Sequence, residues 1–142
     1  MKPLWLSLDQ RALIRENYRL VSQMAEDYSE RLYFKLLHQH PFARALFPDD
    51  LTNQSRAFRR TIDTLVEALD RFPALHATLA DLARRHVAYG DQAHHYPLVG
   101  DVLIETFAEM SGSGFTAETR AAWQMLYDDT ARIMIREAYP QA

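Results

Sequence analysis

The sequence predicts an all-α fold, and three observations carry that expectation. Apolar residues recur three and four apart through most of the chain. Glycine is scarce, with 4 in 142 residues, and the 6 prolines fall at the edges of the apolar stripes. Such a period marks helices, and so few breakers favour long helices over many short strands. About seven helices are expected, in one domain spanning residues 1–142, a length that fits a single core.

Ser7-Leu8-Asp9-Gln10 opens the first helix, with Ser7 as N-cap and Gln10 completing a capping box. Ile14, Tyr18 and Val21 carry its stripe to about Gln23. Ala25, Tyr28, Leu32, Leu36 and Leu37 continue the period through a second helix to about His38. His40-Pro41 breaks it, because a residue before proline avoids the helical region while proline suits a first helical position. A short helix from Pro41 to Phe47 follows, then a loop at Pro48-Asp49-Asp50. Thr52 or Asn53 caps the next helix, whose apolar face is Phe58, Ile62, Leu65, Val66 and Leu69.

After Phe72-Pro73, residues Leu75, Leu79, Leu82, Ala83 and His86 share one face of a further helix closed by Gly90. Pro97 opens a helix striped by Val99, Leu103, Phe107 and Met110. Ser111-Gly112-Ser113-Gly114 is a loop. Thr116 caps the last helix, helped by Glu118 near its positive end. Trp123, Leu126, Tyr127, Thr130, Ala131 and Met134 form that helix's stripe.

The balance of charge excludes several functions. Net charge is -3, and Lys and Arg are interleaved with acids, so no basic stripe marks a nucleic-acid face. With no cysteine there are no disulfides, no Cys-ligated zinc, no iron–sulfur cluster and no covalent haem link through C-x-x-C-H. The apolar run at Leu4–Leu6 stops at Ser7, short of the ~7–15 residues of a signal core. No stretch approaches the ~18 apolar residues of a membrane span, and a cytoplasmic protein is expected. G-x-S-x-G, G-x-G-x-x-G and H-E-x-x-H are all missing.

Histidines fall at 38, 40, 76, 86, 94 and 95. His38 and His40 sit near a helix end, where a cation interacts well with the dipole. His76, His94 and His95 read as surface, loop or capping residues. His86 differs, because it shares the apolar face of Leu79, Leu82 and Ala83. A histidine there is either a core residue with one hydrogen bond or an axial haem ligand, a neutral imidazole against an apolar pocket. Arg84 and Arg85 beside it are either a solvated face or partners for haem propionates.

Three blocks carry a resemblance. LADLARRHVAYGDQAHHYPLVG, from Leu79 to Gly100, contains R-H-x-x-Y-G followed by H-Y-P-L-V-G. LLHQHPFARALFP runs from Leu36 to Pro48, and AAWQMLY from Ala121 to Tyr127. In this order and spacing they resemble the bacterial single-domain globins of the flavohaemoglobin type, over nearly the whole chain from about Leu8 to Tyr139. The resemblance implies a globin fold around haem b, with His86 as the iron's protein ligand and Phe47 stacked on the porphyrin. It makes Tyr33 the distal tyrosine and Gln54 the distal-helix polar residue. Phe58 falls one turn later, where the family more often has leucine, and Val99 and Arg85 line the cofactor. Tyr96 matches the tyrosine behind the proximal histidine.

Two departures stand out. The loop between Phe47 and Gln54 is shorter than is usual in that family. Glu137, the match for a glutamate that bonds the proximal imidazole together with Tyr96, comes one residue early, with Ala138 at the expected place. One residue turns a helical side chain by roughly 100°.

Dioxygen at such a site carries partial negative charge, which the Tyr33 hydroxyl and the Gln54 amide can both stabilise by donating hydrogen bonds. The resemblance therefore implies high oxygen affinity and slow release, with O2, NO and CO as ligands. It suits dioxygenation of nitric oxide to nitrate better than oxygen transport. The flavohaemoglobin reductase module does not fit into 142 residues, so a separate flavin reductase is expected as partner. A gas-storing or gas-sensing module, a weak peroxidase-type haem protein and a haem-free helical interaction domain are the competing readings.

Overall fold

The computed structural model describes residues 6–71, 76–77, 79 and 96–138. Among them are five α-helices, two short 3-10 segments and no strand. The first helix, α1 (Leu8–Ser22), begins on the expected capping box. The Gln10 amide donates to Ser7 Oγ at 3.1 Å, and the Ser7 amide donates to Gln10 Oε1 at 2.9 Å. Its buried stripe is Arg11, Ile14, Asn17, Tyr18 and Val21, so the polar positions 11 and 17 lie on the apolar face as well.

Helix α2 (Tyr28–Gln39) starts three residues later than its apolar period suggests. Asp27 is the reason: its Oδ1 accepts from the Ser29 amide at 2.9 Å and the Ser29 hydroxyl at 2.6 Å. Capping at 27 leaves Ala25 outside the helix, exposed in a bend. Tyr28, Leu32 and Leu36, with Ser29 and Tyr33 one position on, form the buried face. The stretch expected as a short helix to Phe47 is a 3-10 segment, Pro41–Leu46, and Phe47 follows it in extended backbone.

In α3 (Thr52–Glu67) the cap also differs from expectation. Thr52 and Asn53 are themselves helical, and Asp50 Oδ1 takes the Thr52 amide at 3.0 Å. An Asx carboxylate two residues back offers the same acceptor as an N-cap side chain, so aspartate upstream displaced the threonine. Ile62 and Leu65 are buried on this helix, and Leu69 is buried just beyond it.

Of the expected helix from Leu75 to Gly90, only His76, Ala77 and Leu79 are described, and Leu79 is buried. Helix α4 (Tyr96–Ser111) holds its proline in the first turn, and Gly112 follows it with φ +63°, a conformation glycine adopts without penalty. Helix α5 (Ala117–Ala138) is capped as expected, with the Thr119 amide donating to Thr116 Oγ1 at 3.1 Å.

The helices pack as α1 against α5, α4 against α5, α2 against both α4 and α3, and α1 against α3 and α4. One core joins them, from Ile14 and Tyr28 through Leu103 and Phe107 to Trp123 and Leu126. Where α4 crosses α5, a Cβ at Gly100 would overlap the Tyr127 ring, so only glycine lets these helices approach so closely. Buried Arg11 fastens α1 to the segment after α3. Its Nη1 meets Asp70 Oδ1 at 2.9 Å, while Nε and Nη2 donate to the Leu6 carbonyl at 3.2 and 3.0 Å. No described helix is long and apolar enough to cross a membrane.

Candidate functional site

Four of the residues singled out from sequence come together between α2, α3 and the segment linking them. Tyr33 is 4% exposed on the buried face of α2. Gln54, in the first turn of α3, donates from Nε2 to the Tyr33 hydroxyl oxygen at 3.2 Å. Because that oxygen accepts from Gln54, the hydroxyl hydrogen is aimed elsewhere. Two aromatic rings stand edge-on to Tyr33: Phe47 at 5.4 Å between centroids and Phe58 at 6.0 Å. Phe47 and Phe58 are partly buried and pack on the core. The helical period explains the set, because Gln54, Phe58, Ile62 and Leu65 recur three and four apart on one side of α3. The shorter loop before Gln54 does not stop it reaching Tyr33.

Val99 lies in α4, half-buried against the core. Tyr96 is the first residue of α4 and Glu137 lies in the last turn of α5, but their side chains are outside the described set. His86 and Arg85, with Arg84, lie outside the described residues altogether. Among the described residues no group of three or more His, Asp or Glu could hold a metal ion.

The described half fits haem in its chemistry: an apolar wall of aromatic rings, and two neutral donors that need no counter-ion. A flat macrocycle fits against aromatic faces, and neutral donors stabilise a weakly anionic diatomic without bringing a charge into the core.

Beside this site lies a second polar cluster that the sequence did not disclose. The Tyr18 hydroxyl donates to Asp63 Oδ1 and lies 2.7 Å from the Tyr28 hydroxyl. The Arg59 guanidinium sits 4.9 Å from the centre of the Tyr28 ring, pairs with Asp27 at 3.0 Å and donates to the Ser22 carbonyl at 2.6 Å. Burial and the bond to Asp63 push the Tyr18 hydroxyl well above the ordinary tyrosine range. Burial likewise raises Tyr28, against a lowering by its bond with Tyr18. For Asp27, burial acts upward, but the bonds from Ser29 and Arg59 outweigh it and the carboxyl is lowered. Arg59 and Asp63 each follow a core position of α3, Phe58 and Ile62. Two opposite charges one turn apart along the edge of an apolar stripe were the available signal.

Residues 30–134 match the family model described as Globin. A globin-like protein of Aquifex aeolicus is 26% identical over 123 residues, 87% of either chain. A flavohemoprotein of Bordetella pertussis is 27% identical over 133 residues, which take in 92% of this chain and 33% of that protein. The chain therefore spans about a third of that relative. Among solved structures, an engineered carbene transferase from Rhodothermus marinus, a proposed nitric oxide dioxygenase by origin, superposes with a TM-score of 0.83 at 25% identity. It covers 95% of this chain and 94% of its own. A bacterial globin from Campylobacter jejuni shares the fold with a TM-score of 0.80 at 19% identity, over 94% of this chain and 97% of its own.

Proposed function

This chain belongs to the globin family, and from that premise we propose a haem protein that binds dioxygen tightly and converts nitric oxide to nitrate in the cytoplasm. Its cofactor is haem b, with His86 as the protein ligand to iron. Bound haem supplies an iron that takes up dioxygen, nitric oxide or carbon monoxide. The overall change joins NO, O2 and one electron into nitrate, and the electron comes from a separate flavin reductase.

One observation carries the reading: the buried Tyr33 hydroxyl and the Gln54 amide, 3.2 Å apart, walled by Phe47 and Phe58. Gln54 fixes the Tyr33 oxygen from one side, which holds both polar groups at the same place between α2 and α3. Each such donor is worth ~1–3 kcal/mol, about 5- to 150-fold in the rate of gas release. Phe47 and Phe58 exclude water and hold the macrocycle. Tyr96, with Glu137 where it reaches, would orient the imidazole N–H of His86 and raise its basicity. Val99 would line the cofactor, and Arg85 would pair with a propionate.

Absorption spectra of the protein and of His86→Ala with added hemin, in ferric, ferrous, oxygen and CO forms, test the foundation. The protein is expected to give a stable oxygen-bound spectrum that the variant loses. Unchanged spectra in His86→Ala would remove that residue from the iron. Tyr33→Phe is then expected to release oxygen about 10-fold faster or more, measured by stopped flow. Steady nitric oxide consumption with a flavin reductase separates the enzyme from a module that only stores or senses gas.

A further inference from the structure

We propose that Tyr18 and Asp63 form a one-electron oxidation site, in which Tyr18 loses an electron to a strong oxidant while its proton passes to the Asp63 carboxylate.

The geometry supplies each part. Tyr18 is 7% exposed and its hydroxyl donates to Asp63 Oδ1, so a base already holds the proton that must leave. Tyr18 thus uses its own hydrogen on Asp63, and the Tyr28 hydroxyl, 2.7 Å away, donates to the Tyr18 oxygen. That second bond stays in place when the phenol becomes a neutral phenoxyl radical. Asp63 is only half-buried, so the proton it takes up can go on to water. In balance, the phenol gives one electron to the oxidant and one proton to the carboxylate, leaving a phenoxyl and a carboxylic acid. A one-electron reductant reverses the step. Because the Tyr18 phenol is hard to ionise in the ground state, its proton leaves together with the electron.

The neighbours make Tyr18 the resting place. Phe107 and Trp123 pack on it at 6.3 and 6.2 Å between ring centroids, and Tyr28 at 5.7 Å. The Trp123 Nε1–H donates to the Asn17 side-chain oxygen at 3.0 Å. An amide is far too weak a base to take that proton, so Trp123 can pass a positive hole but not keep it. Tyr28 bears the Arg59 guanidinium over its ring, and a cation there opposes loss of an electron. Tyr18 alone in this cluster donates to a carboxylate. Tyr28 and Tyr33 are both buried residues of α2, five positions apart. Hydroperoxide-treated haem is the natural oxidant; only that choice rests on the proposed function.

The test uses hemin-loaded protein, an oxidant that needs no haem, and frozen-solution paramagnetic resonance. A photogenerated ruthenium(III) polypyridyl is expected to produce a neutral tyrosyl signal in the protein and in Tyr28→Phe. Tyr18→Phe is expected to lose most of it, and Asp63→Asn to lower its yield about 10-fold. Circular dichroism of each variant reports folding, so Asp63→Asn and Tyr28→Phe still decide the matter if Tyr18→Phe does not fold. A signal unchanged by Tyr18→Phe or by Asp63→Asn, or no signal in the unsubstituted protein, would overturn the proposal. Hemin uptake, read from the Soret band of the same samples, reports separately on the haem reading.

Discussion

At the scale of single residues, the polar side chains inside the apolar stripes decide how the interior is wired. Asn17 is 6% exposed and links two helices: it accepts from Trp123 Nε1 at 3.0 Å and donates to Ser111 Oγ at 2.8 Å. Removing it strands a buried indole N–H, which costs more than the apolar area a larger side chain adds. Asn17→Leu is expected to destabilise by about 1–3 kcal/mol in urea unfolding despite its greater hydrophobicity. A neutral or stabilising result would show that Trp123 finds another acceptor. The sequence disclosed one kind of site residue and concealed the other. Tyr33, Gln54, Phe47 and Phe58 lie at positions where helical spacing and resemblance agree, and the structure brings them together. Tyr18 was visible only as an apolar-stripe residue. Its pairing with Asp63 joins positions 45 apart, a distance that no local period reports.

At the scale of the helix, local chemistry near the ends moved the boundaries, while the stripes themselves were plain in the sequence. The capping box at Ser7 and the cap at Thr116 formed as expected, because each competes with no better acceptor nearby. Asp27 and Asp50 overrode the period at α2 and α3, each by taking the amide two residues on. Ser7→Ala is expected to cost about 1 kcal/mol of stability, seen as a lower urea midpoint with an unchanged slope. A loss near zero would mean that the Arg11 contacts to Leu6 and Asp70 hold α1 without its cap. The exposed pairs on α2 deserve less weight: Arg31 with Glu26 and Glu109, and Lys35 with Glu105 and Glu109, lie in solvent where such bridges contribute little.

Over the whole molecule, charge links the fold to pH. Asp27 is held below its ordinary value of 3.8 by Ser29 and Arg59, and Asp70 is lowered by Arg11 and Arg15. A depressed carboxyl stabilises the fold above its unfolded value, and that contribution is lost as pH falls through its folded value. Stability to urea is therefore expected to hold from neutral pH down to about 5 and to drop below about 4. Asp27→Asn, which keeps a capping side chain but no charge, should make that drop shallower; an unaltered acid limb would place the effect in other carboxylates. The all-α architecture was foreseeable at this scale, because successive helices with apolar stripes have few ways to bury them other than against one another. Which helices pair was not, since it depends on side chains such as Asn17 and Trp123, 106 residues apart. Those partners impose an order on synthesis. A ribosome adding ~5–20 residues per second makes Trp123 about 5–20 s after Asn17. Through that interval the nascent α1 has no α5 to lie against, and a 15-residue helix is marginal alone in water. Until α5 is made, α1 has only its contacts with α3 and α4, and its Ile14 and Val21 are partly open to any chaperone that reads exposed aliphatic side chains.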